Sequence, residues 1–209
     1  MSSIVTRILR SLGEFLLLTA MTAAVPLIVY VDAVVIGDDV SECSITEVTQ
    51  ETLLLLSTIM FLVAAGRHPE SRGFLVLVGG FLACLLIREL DFLFDMVHHG
   101  LWLYPALLTA AGCLAIAADS WKTVFGSMAA YAETKSCIFV TIGLLIVMVF
   151  SRLFGSGRLM WIAVLQTDYR GVCKAIIQEG LELFGYMFIF YGSCLLPQWT
   201  RRTLDQHKA

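Results

Sequence analysis

The sequence predicts an all-α integral membrane protein, built as one domain over residues 1–209 with about six transmembrane helices. Three observations predict this class. Hydrophobic residues make up 58% of the 209 residues, the mean hydropathy is +0.83, and long apolar stretches alternate with short polar connections along the chain. A helix that crosses a bilayer needs roughly 20 apolar residues, so a chain of this length accommodates all six crossings.

Six apolar stretches define the predicted helices. In chain order they are residues 12–36, 45–65, 74–97, 101–118, 136–154 and 175–197. The second begins where Ser44 and Glu47 have the form of a capping box, and the third follows a turn that contains Pro69 and two glycines. Gly100 permits a short turn before the fourth stretch, which carries no charge. We therefore expect several helix hairpins joined by short loops.

The last two connections are longer. Residues 119–135 place charged residues around an apolar middle, which is typical of an interfacial helix. The sequence GSG at 155–157 ends the fifth helix, and we interpret residues 155–174 as an extracytoplasmic interfacial segment, with a re-entrant element as the alternative. Cys43 and Cys173 fall in polar connections on the same predicted side, so the sequence leaves open whether they form a disulfide.

Lysine and arginine residues are distributed unequally between the two sides. Six crossings put both termini on one side, and nine Lys and Arg residues lie there, at positions 7, 10, 67, 72, 122, 135, 201, 202 and 208. The other side carries four, at positions 152, 158, 170 and 174. The positive-inside rule then predicts cytoplasmic termini. We expect a multi-pass protein of the inner (plasma) membrane of a bacterium.

The third predicted helix ends in the most unusual stretch of the chain, CLLIRELDFLFDMVHHGLW at residues 84–102. An Arg or Asp at the centre of a bilayer costs about 2.5–3.5 kcal/mol on insertion scales, so these residues need partners. At about 100° per residue, one helix face holds five of the six charged or imidazole residues, and Glu89 lies off that face. The five are Arg88, Asp91, Asp95, His98 and His99.

Acidic residues of two other helices are predicted at the same depth. Glu51 in the second helix and Glu182 in the sixth each lie roughly 10 Å inside the predicted outer end, close to the level of Arg88 and Asp91. We therefore expect Asp91, Glu51 or Glu182 to neutralise Arg88.

The sixth helix carries a polar face of its own. Glu179, Glu182 and Tyr186 are spaced i, i+3, i+7 and share that face, and we expect the Tyr186 hydroxyl to reach Glu182 or Asp91. As a structural ion network the sequence predicts Arg88, Glu89, Glu51, Glu179 and Tyr186.

Carboxylates with one or two imidazoles are ligands that suit Zn, Mn or Fe. We therefore predict a divalent-metal site built from Asp91, Asp95, His98, His99 and Glu182. With one open coordination position, such a metal could activate water for hydrolysis of a lipid-like substrate that enters from the membrane lipids.

Two other functions remain open from the sequence. The cluster could serve only as an ion network that fixes helix packing in a structural or assembly protein, or it could belong to a proton- or cation-coupled transporter. The motifs GxSxG, HExxH and GxGxxG and a P-loop are absent. Because no block of Lys and Arg occurs, we expect no nucleic-acid partner.

Overall fold

The computed structural model describes residues 2–36, 44–156, 161 and 171–200, with the side chains of residues 2, 3 and 171–173 left out. Within these ranges every regular element is a helix, and none is a strand, so the predicted all-α class is confirmed. Cys43, and with it the question of a disulfide to Cys173, lies outside the described residues, as does most of the predicted interfacial segment 155–174.

The long helices follow the apolar stretches of the sequence. Helix α1 runs over Ser2–Tyr30 and continues as a π-helical turn over Val31–Ile36. The elements that follow are α2 (Ile45–Arg67), α3 (Arg72–Glu89), α4 (Asp91–Asp95), α5 (Leu103–Asp119), α6 (Val124–Ala132), α7 (Lys135–Leu145, extended by a π-helical turn over Ile146–Phe150), α8 (Ser151–Phe154) and α9 (Gly171–Cys194).

Five helical segments in the described part of the chain are long and apolar enough to cross a membrane. They are Ile4–Ile36, Ile45–Arg67, Pro69–Glu89, Lys135–Phe154 and Lys174–Thr200. A sixth span results if α5 and the segment Trp121–Ala132 are counted together, although the second is bent by 88° from the first. The chain is therefore a multi-pass membrane protein, while the orientation with both termini inside stays a prediction.

The third helix is shorter than predicted. A continuous helix to Val97 was expected, but α3 ends at Glu89, and Leu90 breaks it with φ −81° and ψ 17°. After the short helix α4 the chain turns back through Gly100, whose φ of 80° lies in the left-handed region that favours glycine. The prediction of one common face for Arg88, Asp91, Asp95, His98 and His99 is therefore wrong, because that face requires an unbroken helix.

Helix α9 occupies the middle of the bundle. It packs against α2 on one side, against α7 and α8 on another, and against α1 along part of its length. Helix α2 also packs on α3, and α3 packs on α5. The main core lies between these helices, where its buried aromatic side chains are Phe61, Phe74, Tyr131, Tyr186 and Trp199. Large apolar side chains on the outside of α1 and α5 are exposed, as expected for helices surrounded by lipid.

The start of α2 is held by two capping side chains. Ser44 Oγ accepts the N–H of Glu47 at 3.1 Å, which confirms Ser44 as the N-cap and Ile45 as the first helical residue. Asp32, at the end of the first span, accepts the N–H groups of Ile45 at 3.0 Å and Thr46 at 2.6 Å and also the Thr46 hydroxyl. The first N–H groups of a helix have no acceptor within that helix. The fully buried Asp32 therefore satisfies them and fixes α2 against the end of α1.

Helices α7 and α9 approach closely because small residues line their contact. A Cβ atom added at Gly143 would lie 2.5 Å from the backbone oxygen of Gly185 and 2.7 Å from Cγ1 of Ile189. Backbone oxygen cannot move away as a flexible side chain can. Close approach of backbones at small residues is a common packing mode of membrane helices, and here it sets the position of α9 relative to α7 and α8.

We predict that Gly143→Leu destabilises the protein by about 1–3 kcal/mol or more, because overpacking forces the two backbones apart. The matched control is Gly112→Leu, since a Cβ atom at Gly112 meets nothing within 4 Å and the residue lies exposed on another apolar helix. Thermal unfolding of the two variants in the same detergent is the measurement. Equal stability of both would contradict the close contact.

Candidate functional site

Four helix ends meet at one end of the bundle: the N-terminal ends of α2 and α9 and the C-terminal ends of α3 and α8. Electrostatic interactions connect Glu89 on α3 with Glu51 on α2 and with Glu179 and Glu182 on α9. We call these four carboxylates the acidic centre. Two arginines also interact with it, Arg88 of α3 and Arg152 of α8. The Lys and Arg distribution predicts that this end faces outside.

Glu89 connects α3 to α9. Its Oε1 atom accepts a hydrogen bond from the hydroxyl of Tyr186 at 2.5 Å and forms an ion pair with Nη2 of Arg88 at 2.6 Å. Tyr186 is fully buried, and the Glu89 side chain is only 13% exposed. We expected the Tyr186 hydroxyl at Glu182 or Asp91, and that expectation is wrong. Because the break at Leu90 ends α3, Asp91 lies exposed beyond that helix. Glu89 therefore binds the Tyr186 hydroxyl where Asp91 was expected.

Glu182 connects α9 to α8. Its Oε1 atom accepts the Ser151 hydroxyl at 3.0 Å and the Gln178 side-chain amide at 3.3 Å, and it pairs with Nη2 of Arg152 at 3.1 Å. The Glu182 side chain is 3% exposed, whereas that of Arg152 is 43% exposed. Neither Ser151 nor Arg152 was predicted from the sequence to have a role. Arg152 could have been found from the sequence as a charged residue near the predicted outer end of the fifth helix, on the same side of the membrane as Glu182.

Glu179 connects α9 to α2. The side-chain amide of the buried Gln50 donates to Glu179 Oε2 at 3.1 Å and to the backbone oxygen of Glu179 at 3.0 Å. Gln50 precedes Glu51 on α2. Its role was not predicted, because uncharged polar residues are common in the first turns of helices. With Glu89 and Glu182, this contact completes a set of polar links from α9 to three neighbouring elements.

Glu51 differs from the other three carboxylates. Its Oε1 atom is completely buried and accepts no hydrogen bond from the described part of the chain. Its side chain nevertheless lies within electrostatic range of Glu89. Burial of a carboxylate oxygen without a hydrogen bond is unfavourable, so Glu51 is the carboxylate of the acidic centre that the described side chains satisfy least.

The acidic centre carries more negative than positive charge. Four carboxylates interact with two guanidinium groups, which leaves two surplus negative charges if all six groups are ionised. Charged groups inside a membrane protein are stable only when they are paired or neutralised. The two arginine side chains are partly exposed, Arg88 at 33% and Arg152 at 43%, so the centre extends to the edge of the bundle at this end.

The remaining residues of the predicted metal site lie in α4, which contains Asp91 and Asp95, and in the turn after it, which contains His98 and His99. The exposed ring of His99 donates to Asp95 Oδ2 at 2.7 Å, and the Gly100 N–H donates to Asp95 Oδ1 at 3.0 Å. The bond from Gly100 and then that from His99 hold the pKa of Asp95 below its ordinary value. Nδ1 of the exposed His98 contacts the backbone oxygen of His99 at 2.9 Å. The polar side chains of this turn therefore stabilise the turn itself.

The structure thus brings some predicted site residues together and separates others. Glu51, Glu89, Glu179, Glu182, Arg88 and Tyr186 belong to one network. Asp95 at the end of α4 and His98 and His99 in the turn after it lie apart from that network. Among the described residues no three His, Cys, Asp or Glu side chains are grouped as metal ligands. A divalent-metal site at Asp91, Asp95, His98, His99 and Glu182 stays a prediction.

Comparison of the chain with protein-family models, with curated proteins and with solved structures gave no match.

The Arg88 pair offers a direct test of the site geometry. We predict that Arg88→Leu and Glu89→Gln are coupled by about 0.5–3 kcal/mol in a double-mutant cycle, as expected for side chains in contact. Arg88→Leu and Asp91→Asn should instead be additive within about 0.5 kcal/mol, because Asp91 lies outside the contact. The free energy of unfolding of each single and double variant in detergent provides both cycles. Stronger coupling of Arg88 to Asp91 than to Glu89 would indicate an unbroken third helix and would contradict the structure.

Proposed function

We propose that the protein is a cation-coupled multi-pass membrane protein that binds a proton or a metal cation at the acidic centre. The observation that carries this proposal is the buried Glu51 Oε1 atom, which has no hydrogen-bond donor in the described part of the chain. It lies next to a cluster with surplus negative charge. A bound cation would neutralise the negative charge that Arg88 and Arg152 leave unpaired.

A network that serves only helix packing would not need Glu51. Glu89, Glu179 and Glu182 each bind a side chain of a neighbouring element, so each contributes to holding α9 in place. Glu51 forms no such link among the described residues, yet its carboxylate costs desolvation free energy and repels Glu89. Such a residue lowers stability without a packing benefit, which is characteristic of functional sites.

Access supports uptake of the cation from one side. The centre lies at the end of the bundle where α2 and α9 begin, and both arginines are partly exposed there. The Lys and Arg distribution predicts that this side is the outside of a plasma membrane. We also propose that this membrane is the inner membrane of a bacterium.

Two kinds of cation fit the charge of the centre. A proton needs only an oxygen atom, whereas a metal ion needs several ligands converging on one point. The carboxylates join different helix ends, and the described part of the chain does not group them as metal ligands, so proton binding has the stronger support. Metal-dependent hydrolysis of a lipid-like substrate has less support, because Glu182 pairs with Arg152 and Ser151 while Asp95 is bonded within its own turn.

The proposal predicts opposite effects for two substitutions of equal size. Glu51→Gln should keep or raise the unfolding temperature, because it removes a surplus charge. Glu89→Gln should lower it by several degrees, because it removes the charge that holds Arg88, and breaking a buried ion pair costs about 3–5 kcal/mol before allowance for the partial exposure of Arg88. Thermal unfolding of purified protein measures both effects, with Glu133→Gln at an exposed position of the opposite end as the control.

The same assay identifies the cation. A ligand that binds only the folded protein stabilises it by about 2.7 kcal/mol at 100 times its Kd, so a series of pH values and of Na⁺, Mg²⁺, Mn²⁺, Fe²⁺ and Zn²⁺ concentrations should reveal one stabilising species. We expect this response in the wild type and in Glu133→Gln, and we expect its loss in Glu51→Gln. If no cation stabilises the wild type and Glu51→Gln unfolds more easily than Glu133→Gln, the centre is a packing network and the proposal fails.

A further inference from the structure

A cleft of about 950 Å³ lies at the end of the bundle opposite the acidic centre. It is bounded by the N-terminal half of α1, the start of α7 and the chain that follows α9, up to Trp199. On the Lys and Arg distribution this end faces the cytoplasm, so the cleft lies at the level of the inner lipid headgroups.

Helix α1 leaves the bundle on one side of this cleft. Its C-terminal half packs on α9, where Val25 contacts Leu183 and Met187. Towards the N-terminus the helix borders the cleft, and Leu17 lines the cleft although it is also exposed. The bridge across the cleft is polar: Nζ of Lys135 pairs with both carboxylate oxygens of Glu14, at 2.6 and 2.8 Å. Because Leu17 both lines the cleft and is exposed, the cleft is open to the lipid side of the bundle.

The lining of the cleft is amphipathic. Arg10 and Lys135 supply positive charge, Glu14 and Glu133 supply negative charge, and Leu17 and Leu195 supply apolar surface. Lysine has three donors; Glu14 takes two of them, and the third meets no acceptor among the described residues. The first turn of α7 also lies here, with Thr134 as its N-cap, and the positive end of a helix dipole favours an anion at that position.

We propose that this cleft binds a glycerophospholipid of the surrounding bilayer. Its headgroup phosphate lies between Arg10 and Lys135, beside the first turn of α7, and one acyl chain follows Leu17 along α1. The size of the cleft, its access from lipid and the order of polar and apolar groups from the membrane surface inwards match such an amphiphile. This site is separate from the acidic centre and does not depend on the proposed cation.

The test is native mass spectrometry of the full chain in detergent, titrated with phosphatidylglycerol or phosphatidylethanolamine. One cation near a membrane surface contributes about 1 kcal/mol of attraction, which corresponds to about fivefold in affinity. We expect Arg10→Gln to weaken the first lipid adduct about fivefold and the double variant Arg10→Gln/Lys135→Gln about 25-fold. Arg10→Gln is informative by itself, because it leaves the Glu14–Lys135 pair intact.

The matched control is Arg67→Gln/Lys122→Gln, which removes two exposed cations from the same end of the bundle but none from the cleft. It should bind lipid as the wild type does. The proposal is overturned if Arg10→Gln and the control weaken lipid binding equally, because the loss would then come from the general surface charge of this end and not from the cleft. It is also overturned if inorganic phosphate alone displaces the lipid at equal concentration, because the site would then recognise a free phosphate.

Discussion

The arrangement of the bundle depends on the neutralisation of carboxylates inside an apolar protein. Glu179 and Glu182 of α9, with Glu89 of α3, place negative charge where neither lipid nor bulk water can solvate it. Each therefore has a partner on another element: Gln50 on α2, Ser151 and Arg152 on α8, and Tyr186 on α9. Because the links radiate from α9, that helix cannot shift or rotate without breaking several of them at once.

The apolar packing of the same helix supports these links. The backbones of α7 and α9 meet at Gly143 and Gly185, and Gly185 directly precedes Tyr186. Towards the opposite end, Phe61, Phe74, Tyr131 and Trp199 pack together. The molecule therefore has two chemically different ends. One carries an acidic centre joined by short hydrogen bonds and ion pairs, and the other carries an amphipathic cleft beside α1.

The sequence was sufficient for features that depend on local chemistry. Apolar stretches predicted the spans, and Ser44 predicted the start of α2. Helix length and rise also predicted a common depth for Glu51, Glu182 and the end of the third helix. Of the partners expected for Arg88, Glu182 interacts with it electrostatically, but the ion pair forms with Glu89. Asp91 was wrongly expected there, because α3 ends before Leu90 and a break changes the direction of every later side chain.

Gln50 and Ser151 of the network could not be predicted from the sequence for a different reason. Gln50 and Ser151 are uncharged, and their burial follows from the contacts between helices. Nothing in a single sequence distinguishes them from polar residues that face a headgroup region. The cleft at the opposite end was likewise unpredictable, because it lies between α1, α7 and the chain after α9 and does not correspond to a motif.

Infrared spectroscopy of the purified protein at neutral pH, combined with elemental analysis, tests the central claim of a neutralised acidic centre most directly. We expect one of two results. Either a protonated carboxyl group absorbs and its band disappears in Glu51→Gln but persists in Glu133→Gln, or one equivalent of a metal ion is bound and Glu51→Gln removes it. Four fully ionised carboxylates without a bound metal ion would contradict the central claim, because the surplus charge would then be stable in the bundle with no cation at all.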